Sequence, residues 1–150
     1  MTRKVGAGVL LLHRGKLGLL LRDNNPNIPN PDKWALPGGT QDPGECLLRT
    51  AMRELWEELR IYPTVKMLGV TVRGNAICFS KPSDAWMRRL RKGPEGQRFQ
   101  LFRFDELNSL SLGGEIRSLH EEYRNIIIGM MVYGEPPDRR CLGLKQWKGQ

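Results

Sequence analysis

The sequence predicts an α/β fold, a sandwich in which a mixed β-sheet has helices on both sides. Two observations predict it. Short apolar runs occur in pairs, a pattern typical of β-hairpins, and two longer segments repeat apolar residues every three or four positions, a pattern typical of helices. We expect one domain over residues 1–150, because this length is ordinary for a single domain, with residues 135–150 as a C-terminal extension.

The first predicted hairpin joins residues 5–13 and 16–22 across Arg14-Gly15. Both runs are apolar almost throughout, which indicates strands that are buried on two faces. Residues 23–31 are rich in Asn and Pro and are predicted to form a loop. Trp34 begins a short extended piece that ends at Leu36. Core packing is the expected fate of its indole, and stacking on a nucleobase is the alternative.

The next predicted element is a helix over residues 46–59. Its apolar residues fall on one stripe, which consists of Leu48, Ala51, Met52, Leu55 and Leu59. Glu54, Glu57 and Glu58 project from a different face, with Cβ atoms roughly 5–6 Å apart. Three carboxylates this close repel each other, and a hard divalent cation such as Mg²⁺, which takes oxygen ligands, removes the repulsion. The helix therefore predicts a metal site.

A second hairpin and a later strand complete the predicted sheet. The hairpin joins residues 64–72 and 75–80, and the strand covers residues 98–104. Between them lies the polar and basic segment 81–97, in which residues 84–91 are expected to form one or two helical turns.

The last predicted helix covers residues 115–132 and follows a turn or short helical cap at 105–107. Apolar residues recur along it at three- and four-residue steps, with one single step at Ile126-Ile127. Gly134 ends it. The basic residues 138–150 have no period, and they either form a tail or dock through three apolar side chains. These are Leu142, Leu144 and Trp147.

The first helix and the glycines before it carry a specific motif. It reads Gly39-x5-Glu45-x7-Arg53-Glu54-Leu55-x-Glu57-Glu58-x-Arg60-Ile61. This spacing resembles the Nudix box, the signature of Mg²⁺-dependent hydrolases that act on a nucleoside diphosphate linked to another moiety. Chance agreement is on the order of 10⁻⁸ per starting position. One position departs, because Arg60 stands where the family usually has Gly.

The resemblance implies a Nudix-like α/β/α sandwich and a set of metal ligands. By resemblance, Glu57 and Glu58 are the principal ligands, Glu54 is a ligand or the general base, and the Gly38 carbonyl is a further ligand. Mg²⁺ is the expected ion, with Mn²⁺ as a substitute.

Two further parts of the site are implied in the same way. Arg53 matches a box arginine that orients a ligand glutamate, although its spacing also suits an i,i+4 ion pair with Glu57. Glu45 matches a glutamate that supports the site. Glu95-Gly96-Gln97 resembles a MutT-like turn that lends a carboxylate to the metal, so Glu95 is expected to be an extra ligand or base. An ordinary turn is the other interpretation. The expected catalytic residues are Arg53, Glu54, Glu57 and Glu95.

The implied function is hydrolysis of the diphosphate linkage of a nucleoside diphosphate derivative. A nucleoside triphosphate pyrophosphatase of MutT type is the first expectation. The alternatives are hydrolysis of a nucleotide sugar or of the 5′ end of RNA, and a non-catalytic nucleotide- or RNA-binding regulator. The intact Arg53 and glutamates argue against the regulator. Residues 113–115 lack the Asn that members acting on oxidised purine triphosphates use to read the base, so that substrate is not expected.

Composition sets the partners and the compartment. The net charge of +8 favours anionic partners, a nucleotide first and RNA second. One basic cluster either holds phosphates or is simply solvated, and it consists of Arg88, Arg89, Arg91, Lys92 and Arg98. Three cysteines without a C-x-x-C pair indicate a reducing, cytoplasmic setting. No stretch approaches the roughly 18 apolar residues of a membrane span, so no membrane partner is expected. The oligomeric state stays open.

Overall fold

A seven-stranded mixed sheet carries the other elements of the fold. The computed structural model describes residues 4–149, so residues 1–3 and 150 of the expected single domain lie outside the described residues. The strands are β1 (Gly6–His13), β2 (Lys16–Leu21), β3 (Trp34–Ala35), β4 (Gly38–Thr40), β5 (Lys66–Val70), β6 (Ala76–Ser80) and β7 (Arg98–Phe102). The helices are α1 (Leu47–Leu59), α2 (Asp84–Arg89), α3 (Phe104–Leu107), α4 (Glu115–Glu122) and α5 (Arg124–Tyr133).

The strand order is β3-β2-β1-β6-β5, with β4 paired to β1 and β7 paired to β2. The predicted hairpins are confirmed, because β1 pairs antiparallel with β2 and β5 pairs antiparallel with β6. The central β1 and β6 run parallel, whereas the other pairs are antiparallel, which confirms a mixed sheet.

Alternate residues of the central strands point to opposite faces of the sheet. On β1, Leu10 and Leu12 belong to the core that includes α4 and α5, whereas Val9 and Leu11 belong to the core that includes α1. All four are completely buried. The strands are therefore apolar on both sides, as predicted, because helices cover both faces of the sheet.

The single helix predicted over residues 115–132 is wrong, because the chain leaves the helical conformation at Tyr123 (φ −129°, ψ 37°) and separates α4 from α5. The Tyr123 hydroxyl lies so close to Gly143 of the C-terminal segment that any side chain on this glycine would collide with the oxygen. A tertiary contact therefore coincides with the break, and the periodicity of α4 and α5 gives no sign of it.

The C-terminal segment docks on the sheet, which is one of the two alternatives that the sequence left open. Leu142 and Leu144 are buried. Val70 and Lys145 exchange two backbone hydrogen bonds of 2.8 and 2.9 Å, so the segment pairs with the end of β5. Strand β7 ends two residues earlier than predicted, because α3 begins there. The N–H of Arg103, the residue before α3, donates to the Glu106 side chain over 2.8 Å.

Two findings bear on the compartment. Cys46, Cys78 and Cys141 all carry free thiols. Within residues 4–149, none of the helices combines the length and the apolar character needed to cross a membrane.

Arg60, the position that departs from the motif, ends α1 in the left-handed conformation (φ 57°, ψ 34°). This conformation costs a non-Gly residue about 1 kcal/mol relative to Gly. The Arg60 guanidinium lies 5.7 Å from the centroid of the Trp56 ring, and its Nη1 donates to the Trp56 carbonyl (3.3 Å). These contacts offset part of the strain.

We therefore expect Arg60→Gly to be about 1 kcal/mol more stable than Arg60→Ala, because both variants lose the Trp56 contacts and only glycine relieves the backbone strain. Urea unfolding measures the difference. At Arg49, an exposed position in the first turn of α1, the same pair should show the opposite order, since glycine is less favourable than alanine in a helix. Equal stability of the two Arg60 variants would contradict the strain.

Candidate active site

Two glycines on β4 allow this strand to fit between β1 and α1. Gly38 pairs with Gly8 and has φ +148°, and a Cβ on it would overlap the Ala7 carbonyl oxygen. A Cβ on Gly39 would overlap Oε1 of Glu54. Glycine is therefore required at Gly38, where backbone atoms block any side chain, while the absence of a Cβ at Gly39 lets the Glu54 carboxylate rest directly on the strand.

Glu58 is joined to the same strand. The Gly38 N–H donates to Oε1 of Glu58 over 2.7 Å, so two residues that are far apart in sequence meet here. Burial raises the pKa of Glu58 to about 8, against the Gly38 hydrogen bond, and the charges of Glu54 and Glu95 add to the rise. The buried carboxylate thus lacks sufficient positive charge around it.

Glu54 lies beside Glu58, and its side chain is 13% exposed. Burial raises the pKa of Glu54; the Arg53 charge opposes this rise, while the charges of Glu57 and Glu95 support it. Carboxylates that raise one another's pKa repel each other, and a cation bound between them would relieve that repulsion.

Arg53 connects the carboxylates of α1. Its Nη1 donates to Glu54 (3.0 Å) and to Oε2 of Glu57 (3.2 Å), while its Nη2 donates to the Thr40 carbonyl (2.9 Å). The i,i+4 pair with Glu57 is present, and Arg53 also contacts a second glutamate of the motif; its role in orienting a metal ligand stays a prediction.

Glu45 anchors Arg53 from the other side. Its Oε2 accepts from Arg53 Nε over 2.8 Å, and its Oε1 accepts from the Thr50 hydroxyl over 2.8 Å. The hydrogen bond from Arg53 lowers the pKa of Glu45 to about 2 against the effect of burial. Thr50, which is completely buried, was not predicted from the sequence. Its position four residues before Glu54, on the same side of the helix, is the sequence signal that could have indicated its part in the site.

Glu45 predicts a pH dependence of stability. Its folded pKa of about 2 lies below the ordinary value of 4.5, so its contribution is complete above about pH 4.5 and disappears as the pH falls towards 2. Glu45→Gln should lower the free energy of unfolding at pH 7 by about 2 kcal/mol and flatten its slope in that window. Urea titrations between pH 2.5 and 7 measure both. An unchanged slope in the variant would contradict the coupling.

The structure brings Glu95 to this cluster from outside α1. The residue lies on the turn before β7, and that turn is fastened to the end of α1, where Gly93 N–H donates to the Glu58 carbonyl over 2.7 Å and Arg91 N–H to the Leu59 carbonyl over 3.0 Å. The charge of Glu95 acts on both Glu54 and Glu58. The Glu-Gly-Gln turn therefore lies beside the glutamates of the helix.

The donor set fits a hard divalent cation in type, since the side chains that converge are carboxylates. As the side chains stand, the described part of the chain contains no group of three His, Cys, Asp or Glu residues arranged to hold a metal ion. In the structure Arg53 donates to Glu54 and Glu57, and the Gly38 N–H donates to Glu58. A bound ion would compete with Arg53 for the oxygens of Glu54 and Glu57.

Trp34 lies outside this site. Its side chain is buried in the core, where the ring meets Phe102 edge-on at a centroid distance of 4.8 Å and the Arg98 guanidinium lies 5.5 Å from its centroid. The expectation of core packing is confirmed.

A cavity of about 590 Å³ opens at the end of the sheet, between α4, the β5–β6 turn and the C-terminal segment. Its lining includes Asn30, Arg73 and Glu115. Glu115 accepts from the Asn75 amide (3.0 Å), and the Asn75 side chain accepts from the Gly6 N–H (3.0 Å). Gly6 pairs with Thr40, whose carbonyl binds Arg53, so a chain of contacts joins the cavity to the carboxylates.

Several solved structures share this fold. The MutT protein from Methanosarcina mazei Go1 is 22% identical, with 81% of this chain and 93% of that chain covered and a TM-score of 0.61. The MutT NUDIX hydrolase from Burkholderia pseudomallei is 23% identical, with 81% and 98% covered and a TM-score of 0.67. The NUDIX domain of Shewanella oneidensis NrtR, complexed with ADP ribose, is 19% identical, with 83% and 88% covered and a TM-score of 0.64.

The glutamate motif where a glycine strand meets the first helix and the match to the NUDIX domain model together support a pyrophosphohydrolase. The chain belongs to the NUDIX domain family, whose model matches residues 2–123. No curated protein matches the chain significantly.

Proposed function

We propose that this protein is a Mg²⁺-dependent hydrolase that cleaves the diphosphate linkage of a nucleoside diphosphate derivative. A nucleoside triphosphate pyrophosphatase of MutT type is the first candidate. One observation supports this above all, the meeting of Glu54 and Glu58 with β4, where burial disfavours their charged forms and the charge of Glu95 acts on both. We further propose a cytoplasmic location, in keeping with the free thiols.

In this proposal the ion is held by the Gly38 carbonyl and by Glu54, Glu57, Glu58 and Glu95. A bound Mg²⁺ offsets the charge that develops on the phosphoryl oxygens and lowers the pKa of a bound water. Mn²⁺ is expected to substitute for it, since both are hard oxygen-binding ions.

The side chains divide the remaining work. Glu54 is the proposed proton acceptor, because burial raises the pKa of its carboxyl and makes it a stronger base than an exposed glutamate. Glu95 is the alternative base. Arg53 keeps Glu54 and Glu57 turned towards one another, and Glu45 keeps Arg53 in place. Proton removal from water then accompanies attack on phosphorus.

Two other substrates have specific support. The NrtR domain that shares the fold is complexed with ADP ribose. A nucleoside diphosphate linked to a sugar is therefore a second candidate substrate. Arg88, Arg89 and Arg91 form no salt bridge with a carboxylate within residues 4–149, and this excess of positive charge favours the 5′ end of RNA.

A substrate panel tests the proposal. The protein is incubated with nucleoside triphosphates, ADP-ribose, a nucleotide sugar and 5′-triphosphate RNA, each with Mg²⁺, with Mn²⁺ and with EDTA, and products are separated by chromatography. We expect metal-dependent release of a nucleoside monophosphate or its equivalent. Calorimetry with Mn²⁺ alone should show uptake. No turnover of any substrate together with no metal uptake would overturn the proposal.

A further inference from the structure

The Asn- and Pro-rich loop after β2, residues 22–33, is bonded to the turn that carries Glu95. Nε2 of Gln97 donates to the Arg22 carbonyl and to Oδ1 of Asp32, both over 2.8 Å. The N–H of Gly96 donates to Oδ2 of Asp23 over 3.2 Å. Two aspartates on one loop therefore hold both residues that follow Glu95.

The two aspartates act as one unit. The backbone N–H of Asp32 donates to the Asp23 carbonyl over 3.1 Å. Asp32 and Asn30 both adopt left-handed backbone conformations (φ 57° and 51°), which are sparsely populated for residues other than Gly and persist where the surroundings fix them. The loop is thus kept in a conformation that presents both carboxylates to the turn.

The other side of the turn is fixed as well. Nζ of Lys92 donates to the carbonyls of Gly96 (2.8 Å) and Glu95 (3.3 Å), and the N–H of Gly93 is bonded to α1. Glu95 is the one carboxylate of the proposed ligand set whose position does not follow from the α1 backbone. Its distance from the other glutamates therefore depends on these contacts.

We propose that Asp23 and Asp32 are positioning residues that hold Glu95 at the glutamate cluster of α1. They act through Gly96 and Gln97 and do not touch the substrate. The catalytic consequence rests on the proposed function, since it requires Glu95 to serve the reaction. A displacement of about 1 Å in such a group can lower the rate by about 10²-fold.

We call the contacts by which Asp23 and Asp32 hold the turn the clamp. Hydrogen exchange of the metal-free protein tests this clamp and requires no enzymatic activity. In Asp23→Ala/Asp32→Ala, we expect exchange of the Gly96 amide to accelerate by at least about tenfold, because its acceptor, the Asp23 carboxylate, is lost. Asp23→Asn/Asp32→Asn should stay near wild type, since an amide oxygen still accepts both hydrogen bonds. Asp105→Ala, which removes an exposed aspartate bonded to Arg103, is the matched control and should also leave the turn unchanged.

Kinetics test the consequence with the substrate that the panel identifies. The double alanine variant should lose about tenfold in kcat with KM within about twofold, and the asparagine variant should recover it. In a Glu95→Gln background the alanine substitutions should have no further effect, because the group that they position is already disabled. If the double variant does not fold, Asp23→Ala carries the exchange measurement, since its carboxylate accepts from the Gly96 N–H, and Asp32→Ala, at an exposed position, carries the kinetics.

Three results would overturn the proposal. The first is slow exchange of the turn in the alanine variant, and the second is an asparagine variant as impaired as the alanine variant. The third is an undiminished loss of kcat in the Glu95→Gln background, which would assign the aspartates a purely structural role. Absence of turnover in the wild type would reject the proposed function, and the exchange measurement would still decide whether the clamp exists.

Discussion

Glu57→Gln is expected to lower kcat by about 10³-fold or more, which corresponds to about 4 kcal/mol of transition-state stabilisation, while the protein stays folded. The amide is a neutral and much weaker ligand for a hard cation, so it removes one charge from the proposed metal site. Stability should change little, because the Glu57 side chain is 52% exposed and bonds Arg53 at the surface of α1. Steady-state kinetics at saturating Mg²⁺ and urea unfolding measure the two effects.

Glu121→Gln is a matched control for this substitution. Glu121 lies on α4, bonds Arg117 over 3.2 Å in another i,i+4 pair and is 61% exposed, so it differs from Glu57 mainly in being away from the other glutamates. We expect its kcat to equal that of the wild type. Near-normal activity of Glu57→Gln, or an equal loss in both variants, would rule out the metal assignment of Glu57.

The sequence predicts the parts of the site that depend on one helix. Ala51, Leu55 and Leu59 of the predicted stripe are completely buried, whereas Leu48 and Met52 are only partly buried. Glu54 and Glu58 face β4, because helical spacing fixes their direction once the stripe packs on the sheet.

The parts that the sequence did not reveal depend on contacts between distant residues. The Gly38 N–H that binds Glu58, and the bond from Gln97 to Asp32, join segments whose proximity is set by the strand order of the sheet. No local period encodes such pairs. The same explanation applies to Tyr123, where the helical period continues but the chain turns towards Gly143.

Arg53→Met is expected to lower the free energy of unfolding by about 2–3 kcal/mol, because it leaves the Glu45 carboxylate with too few partners. Glu45 is only 13% exposed, and its closest charged contact is Arg53 at 2.8 Å. The matched control is Arg117→Met, which breaks an exposed ion pair and should cost less than about 0.5 kcal/mol. Arg53→Lys should be intermediate, since one ammonium cannot reproduce the several donors of a guanidinium. Urea unfolding at pH 7 measures the series.

Arg53→Met should also separate metal binding from turnover. In the structure, the guanidinium occupies the Glu54 and Glu57 carboxylates that the ion is proposed to use. Its removal frees those oxygens and removes a repelling positive charge, so affinity for Mn²⁺ measured by calorimetry should be equal to or tighter than in the wild type. Turnover should nevertheless fall by about 10²-fold, because the carboxylates lose the group that orients them. Weaker Mn²⁺ binding in the variant would mean that Arg53 helps to build the metal site. Unimpaired turnover would mean that the carboxylates do not need Arg53 to orient them.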